Sequence, residues 1–162
     1  MLFERILYPV DLRRASINVK PYILKLKEAG CIEVHIVYVL IPSDWGILEK
    51  EEYDSEDKIE ALRGTIDDGY VDALLRTYRK LKDLAKEFEE RGIKTRVSLI
   101  SGELAESLSW YTKEYNIKLV ALGITDESLS FFKVGKVLDI IKEIESPILI
   151  VKTKEEEGNE EI

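Results

Sequence analysis

The 162-residue chain contains one cysteine, one histidine, one methionine and no glutamine. A single cysteine, Cys31, allows no disulfide within the chain and no multi-cysteine metal site. It follows a helix stop without a histidine or cysteine partner in its motif, so it reads as inert. A single histidine, His35, excludes any site that needs two imidazoles; it falls inside a strand and reads as structural. No apolar run approaches the roughly 20 residues of a membrane-spanning helix, so no membrane partner is expected. The opening Met1-Leu2-Phe3-Glu4-Arg5 leads straight into a strand with no signal-peptide pattern, and the expected location is the cytoplasm. Basic charge is in deficit, 24 Lys and Arg against 32 Asp and Glu, for a formal net charge of -8. That balance repels phosphate backbones and excludes bulk nucleic-acid binding, though a local basic spot for a small phosphate is compatible with it. There is no Gly-x-Ser-x-Gly nucleophile turn, and Gly135-Lys136 is no phosphate loop because Val137 follows and the upstream glycine is missing. No acid–base pair of recognisable geometry stands out, so no enzyme is expected. The acidic run Glu49 to Glu60 lacks the glycine-centred spacing of a calcium loop, so no metal site is expected either.

What is present fits one domain with one core, at 45% hydrophobic and 35% charged residues. Abundant Glu, Lys and Ile beside absent Gln is a bias of proteins from hot environments. Three short runs are apolar at nearly every position: Ile6 to Val10, Leu119 to Leu122 and Pro147 to Val151. Such runs are strands buried on both faces, which belong to a parallel sheet covered by helices. The predicted elements alternate. A first strand at about 5–10 is followed by a helix from Ser16 to Ala29, with Val19, Tyr22, Ile23, Leu26 and Ala29 on its apolar face. Pro21 pulls the start of that helix toward Asn18, and Gly30 ends it. A second strand spans 33–40. A second helix, about 66–91, carries the stripe Tyr70, Val71, Leu74, Tyr78, Leu81, Ala85 and Phe88 and stops at Gly92. A third strand, 94–100, alternates Thr95, Val97 and Leu99 with Lys94, Arg96 and Ser98, the pattern of an edge strand with one wet face. A third helix after Gly102 carries Leu104, Leu108, Tyr111 and Tyr115. The fourth strand is 118–123. A fourth helix carries Val134, Val137, Leu138, Ile141 and Ile144. The fifth strand is 147–152.

Residues 41–65 show no clean periodicity. Ser43 to Glu60 holds eight acids against two lysines, which predicts a solvated loop or a weakly formed helix inserted into the domain. The single domain thus spans 1–152, with the acidic insertion at about 41–65, and the acidic tail 153–162 is expected to be disordered. Trp45 reads as a packing residue and Trp110 as a surface or interface aromatic.

The order β-α-β-α-β-α-β-α-β is a doubly wound α/β sheet. Of the two common strand orders, the amphipathic third strand favours 3-2-1-4-5, which puts that strand at an edge. The ligand crevice then lies between the carboxyl ends of the first and fourth strands, facing Asp11 and Gly123. The fifth strand is the other edge. Ile148 to Val151 are all apolar, and an apolar edge invites pairing, so a homodimer through this strand is expected.

These residues resemble the universal stress protein family of the UspA type. Ile6-Leu7-Tyr8-Pro9-Val10-Asp11 is similar to the family's first strand and its aspartate, and Val37-Tyr38-Val39 to the end of the second. Gly102-Glu103 sits where the family turns into its third helix. Leu119 to Gly123 and Pro147 to Val151 resemble the last two strands. The resemblance covers about 3–152. It implies the 3-2-1-4-5 sheet, a dimer through the fifth strand in many members, and in some an ATP site, magnesium accompanying the nucleotide. That site uses Gly, two residues, Gly, nine residues, Gly, then Ser or Thr. Here the first glycine is Gly123, the second position is Asp126, Gly135 matches the third with the spacer one residue short, and Lys136 takes the hydroxyl position. A carboxylate at position 126 repels phosphate oxygens, and Lys136, with Lys133 near it, offsets this as a point charge. The adenosine end is better kept. Pro9, Val10 and Asp11 match the turn that holds the nucleoside, Val39 the backbone that faces adenine, and Leu122 and Gly123 the strand end. Gly135, Lys136 and Val137 match the phosphate-facing helix start imperfectly.

The expectation is therefore a dimeric regulatory module with a degraded site for ATP or another adenine nucleotide, acting through a protein partner. The alternative is a nucleotide sensor with an intact though atypical site. Slow ATP hydrolysis, known among such proteins, stands as a third possibility without an evident base to position water. A purely structural reading is the alternative at both places: Asp11 as a strut of the turn that follows its strand, and Gly123 as a turn residue.

Overall fold

The computed structural model describes residues 2–125 and 134–153. The acidic tail from residue 154 on, and Asp126 and Lys133, lie outside the described residues. No helix among the described residues is long and apolar enough to cross a membrane.

One six-stranded sheet organises the chain in the order β3-β4-β2-β1-β5-β6. Its strands are β1 (Arg5–Pro9), β2 (Glu33–Leu40), β3 (Glu52–Tyr53), β4 (Lys94–Ser101), β5 (Leu119–Ile124) and β6 (Ile148–Lys152). The five long strands are all parallel and follow the expected 3-2-1-4-5 order. The sixth, β3, was not expected; it runs antiparallel to β4 with Glu52 opposite Ile100 and Tyr53 opposite Leu99. Two residues carry too little pattern to read as a strand.

Each sheet face has its own core. On one face α5 (Asp68–Glu90) lays Val71, Leu74, Leu81, Ala85 and Phe88 against Ile6, Tyr8, Val34 and Ile36. On the other, α6 (Leu104–Glu114) and α7 (Val134–Glu143) cover Leu7, Val37, Val39, Val120 and Leu122. Alternate residues of β1, β2 and β5 thus serve opposite faces, which is why their runs are apolar throughout.

Three expectations need correction. The first helix is not continuous: it breaks into α1 (Arg14–Ile17), α2 (Lys20–Lys25) and a 3-10 turn over Leu26–Ala29 before Gly30 adopts a left-handed φ of 102°. Pro21 falls in the first turn of α2, where its missing N–H costs least. Val19 and Ile23 are buried but Tyr22 is exposed. The segment 41–65 is not simply solvated. It forms α3 (Pro42–Trp45), β3 and α4 (Glu56–Glu60), and it buries Tyr53 and Ile59 in the α5-side core. The Ser55 hydroxyl caps α4 by accepting from Lys58 N. Finally, Leu138 and Ile141 of α7 face outward, while Val137, Ile140 and Ile144 are buried.

The polar side of β4 is a fourth surprise. Arg96 and Ser98 are not a wet face: Ser98 is fully buried, and Arg96 is held by Glu52, Asp54 and Tyr115. The insertion and α6 together cover what the alternation alone marks as solvent-facing.

Candidate functional site

The crevice forms where β1 leaves β5. Their ladder holds only Ile6↔Leu119 and Leu7↔Val120, whereas β1 stays paired with β2 through Pro9↔Val37. Val10 N extends that ladder by donating to Val37 O at 2.9 Å. β5 meanwhile continues beside β6 to Ile124. The two strands therefore part at their carboxyl ends, with Asp11 on one lip and Gly123 on the other, as the switch-point rule requires.

Asp11 is nine-tenths buried. Its Oδ1 accepts from Arg13 N at 3.0 Å, and its own N–H donates to Ser16 Oγ at 3.3 Å. Ser16 Oγ in turn donates to Arg13 O at 2.9 Å. Between them Leu12 sits at φ 61°, a left-handed conformation that a leucine adopts only when its surroundings enforce it. The turn is thus over-determined, and Asp11 is one of its struts. Its second oxygen, Oδ2, is buried without a hydrogen-bond partner among the described residues. The strut uses only the first oxygen.

Below the turn, the Tyr8 hydroxyl donates to Ser16 O at 2.6 Å. Burial first, and the neighbouring Asp11 carboxylate second, push the Tyr8 phenol far above its ordinary value. Tyr8 therefore stays a neutral donor that anchors the turn.

Val39, Leu122 and Val137 are all buried in the α6/α7-side core. Their side chains are occupied, so they offer a ligand only backbone. Pro9 ends β1 and has no N–H to offer. Gly123 is not a turn residue; it is paired with Val151 inside the ladder. Gly135 and Lys136 lie exposed in the first turn of α7, and a Cβ placed at Gly135 meets nothing within 4 Å. Packing does not demand a glycine there. Lys136 makes no ion pair among the described residues.

The sequence reading missed two contributors. Ser16 carries the turn's central hydroxyl. Thr125, fully buried immediately after β5, stands at the crevice lip. Arg13 and Arg14 follow Asp11 two and three residues on, a local pair of bases that the negative net charge conceals.

Other reactive groups lie elsewhere. Burial pushes the Cys31 thiol up, away from thiolate. His35 lies near the start of β2, away from the carboxyl ends of the strands, its Nδ1 sharing a 2.7 Å hydrogen bond with the Tyr111 hydroxyl. No group of three or more His, Cys, Asp or Glu suited to a metal ion forms among the described residues.

With this geometry in view, the comparisons with known proteins are specific. A family model for the universal stress protein family matches residues 2–152. Among solved structures, the chain is similar to the hypothetical protein MJ0577, at 16% identity over 95% of this chain and 99% of that one, with a TM-score of 0.71. It is also similar to a universal stress protein in complex with cAMP, at 11% identity over 94% and 98%, TM-score 0.58. A universal stress protein family protein from Arabidopsis thaliana with AMP bound matches at 11% identity over 91% and 90%, TM-score 0.57. At these identities the likeness speaks for the fold. No curated protein matches the chain.

Proposed function

This chain belongs to the universal stress protein family, and we propose that it acts as a regulatory module of that type whose adenine-nucleotide site keeps its nucleoside end and is weakened at its phosphate end. The observation that carries this reading is Asp11 Oδ2, a buried carboxylate oxygen without a partner at the mouth of the crevice. Leaving such an oxygen unpaired costs on the order of 1–3 kcal/mol, and a sugar hydroxyl donating to it removes that cost. The relatives described with cAMP and AMP support an adenine nucleotide as the class of ligand. At the other end, the carboxylate of Asp126 opposes phosphate while Lys136 attracts it, and the two charges nearly cancel. Magnesium enters with ATP, carried on its phosphates.

The module is proposed to be a homodimer. Ile150 on the edge strand β6 and Leu138 and Ile141 on α7 are all exposed, and a second copy of the chain covers them. This leaves the opposite edge, where the acidic insertion sits, free for a protein partner.

Calorimetric titration with AMP and with magnesium-ATP tests the nucleotide reading. The expected result is binding of both, with affinities within about threefold of each other, equivalent to about 0.7 kcal/mol. Tenfold tighter ATP overturns the weakened phosphate end and establishes the second reading, a nucleotide sensor in which Lys136, exposed and without an ion pair among the described residues, grips the phosphates. No heat from either nucleotide overturns the nucleoside end.

A further inference from the structure

A recess of about 510 Å³ opens at the edge of the sheet remote from β6. Ile100 and Ser101, at the end of β4, form its floor; Glu49–Glu51 of the insertion form one wall, and the first turns of α6 as far as Trp110 form the other. The five parallel strands alone do not make it. The insertion builds it.

The wall is pinned in place. Ser101 Oγ donates to Leu48 O at 2.6 Å and accepts from Glu51 N at 3.0 Å. The backbone adds Lys50 N to Ser101 O at 2.8 Å and Ser101 N to Glu51 O at 3.0 Å. Gly102 then lets α6 start hard against the floor: at φ 152°, its missing Cβ would stand 2.5 Å from Ser107 Oγ.

The chemistry of the lining selects a charge. A helix N-terminus ordinarily attracts anions, but this one is closed by its own residue. Glu103 Oε1 accepts from Ala105 N at 3.1 Å and Oε2 from Glu106 N at 2.8 Å. Glu49, Glu51 and Glu106 line the recess with no ion pair among the described residues, against one lining cation, Lys50. Beside these carboxylates stands an aromatic of fixed orientation. Trp110 is 46% exposed, yet its ring is T-shaped against Tyr111 at 6.2 Å and Tyr115 at 6.4 Å. Tyr115 is itself held by Glu52 and Arg96. Free carboxylates beside a rigid indole are complementary to a cation, which the indole face attracts as well.

We propose that this recess binds a primary ammonium or guanidinium group carried on an aliphatic stem, the stem against Trp110 and Ile100 and the charge among Glu49, Glu51 and Glu106. A free diamine and a lysine or arginine side chain of a partner protein share that chemistry. The site is separate from the Asp11 crevice and does not depend on nucleotide binding.

Titration of the full chain followed through the two indole N–H signals in nuclear magnetic resonance tests it, Trp45 serving as the internal reference and a Trp45→Phe variant assigning the signals. The probes are 1,5-diaminopentane, N-acetyl-lysine methylamide, N-acetyl-arginine methylamide and the neutral 1-pentanol. The expected result is a saturable shift of Trp110 with an amine or guanidine, at least tenfold weaker with the alcohol, and weakened at least fivefold by the double variant Glu51→Gln, Glu106→Gln without a change in melting temperature. Tighter diamine binding identifies a free amine, and tighter binding of either amino-acid amide identifies a peptide side chain; both support the site. An unmoved Trp110 signal, equal binding of alcohol and amine, or unchanged affinity in the double variant overturns it.

Discussion

Arg96 and Glu52 meet at 3.2 Å across the edge of the sheet, and through this pair the insertion is tied to the parallel core. The same guanidinium nitrogen reaches Asp54 Oδ2 at 3.0 Å and the Tyr115 hydroxyl at 2.8 Å. Tyr115 donates onward to Glu52 Oε1 at 2.6 Å, and the Arg96 guanidinium lies 4.6 Å from the centre of the Tyr115 ring. One arginine thus gathers two acids from the insertion and a tyrosine from α6. Burial first, then Glu52, push the Tyr115 phenol up to about 12, so it stays a donor throughout the physiological range.

Replacing Arg96 by methionine keeps most of the volume and leaves Glu52 and Asp54 without their common partner. Breaking a fully buried pair costs about 3–5 kcal/mol; with these side chains between 18% and 30% exposed, water recovers part of that. The expected loss is about 2 kcal/mol in urea unfolding. Hydrogen exchange should rise in residues 49–60 while β1 and β5 keep their protection. Unchanged stability together with unchanged exchange in the insertion would show that Arg96 is not the clasp.

His35 makes a second, pH-dependent prediction. Burial lowers its pKa below the ordinary value, the Glu33 carboxylate opposing this and the Arg96 and Arg5 guanidiniums reinforcing it. Glu33 stands 3.5 Å from Nε2, and Tyr111 and Tyr115 pack against the ring from α6. The unfolded chain therefore takes up a proton near pH 6.5, before the folded one does. The stability that His35 contributes is complete above that pH and declines as the pH falls from about 6.5 toward the lower folded value. Asp54, held down first by Lys58 and also by Arg96, loses its contribution only at a more acidic pH, from the ordinary carboxylate value downward. Because His35 is the only histidine, unfolding midpoints between pH 7.5 and 5.5 isolate it. The wild type should weaken across that interval and His35→Asn should stay flat relative to it. Parallel slopes in both proteins would refute the assignment.

The parallel sheet was legible because Ile6, Leu7, Tyr8, Val120 and Leu122 are buried from both sides, leaving an apolar run with no polar interruption. The place of β4 as the last of the parallel strands was legible for a reason only half right, and the short β3, not β4, forms the edge of the sheet. Arg96 and Ser98 do mark a polar face, but Glu52 and Asp54, more than forty positions away, cover it, and a partner so distant leaves no local trace. The insertion hid for the same reason: its acids dominate the composition, while Tyr53 and Ile59, which anchor it, are single apolar residues without a period. At the crevice, Asp11 and Gly123 were placed by topology. Ser16 was not, because its role depends on the left-handed Leu12 between it and Asp11, and nothing about a leucine announces that conformation.

The proposed dimer puts Ile150 at its centre. In a monomer this side chain is 38% exposed, and Leu138 at 55% and Ile141 at 45% are exposed on α7. Ile150→Lys adds a charge to each copy at the same place, so two like charges face each other across the two-fold axis. Sedimentation should find a dimer for the wild type at micromolar concentration and a monomer for the variant, with the far-ultraviolet circular dichroism unchanged. A monomeric wild type removes the proposal outright.

At the phosphate end, two opposite substitutions separate the charges that the sequence sets against each other. Lys136 is exposed in the first turn of α7, so Lys136→Glu should leave the fold untouched. Near a protein surface, a unit charge a few ångströms from a phosphate is worth about 1–4 kcal/mol. ATP affinity should therefore fall at least about tenfold in Lys136→Glu, and the affinity for adenosine, which carries no phosphate, should stay within about twofold. Asp126→Gly removes the repelling carboxylate and restores the second glycine of the family pattern, so it should tighten ATP by a similar factor. The double variant should fall between the two. ATP affinities unchanged in both single variants would place the phosphates elsewhere, and a loss of adenosine binding in Lys136→Glu would mean that this lysine belongs to the nucleoside end instead.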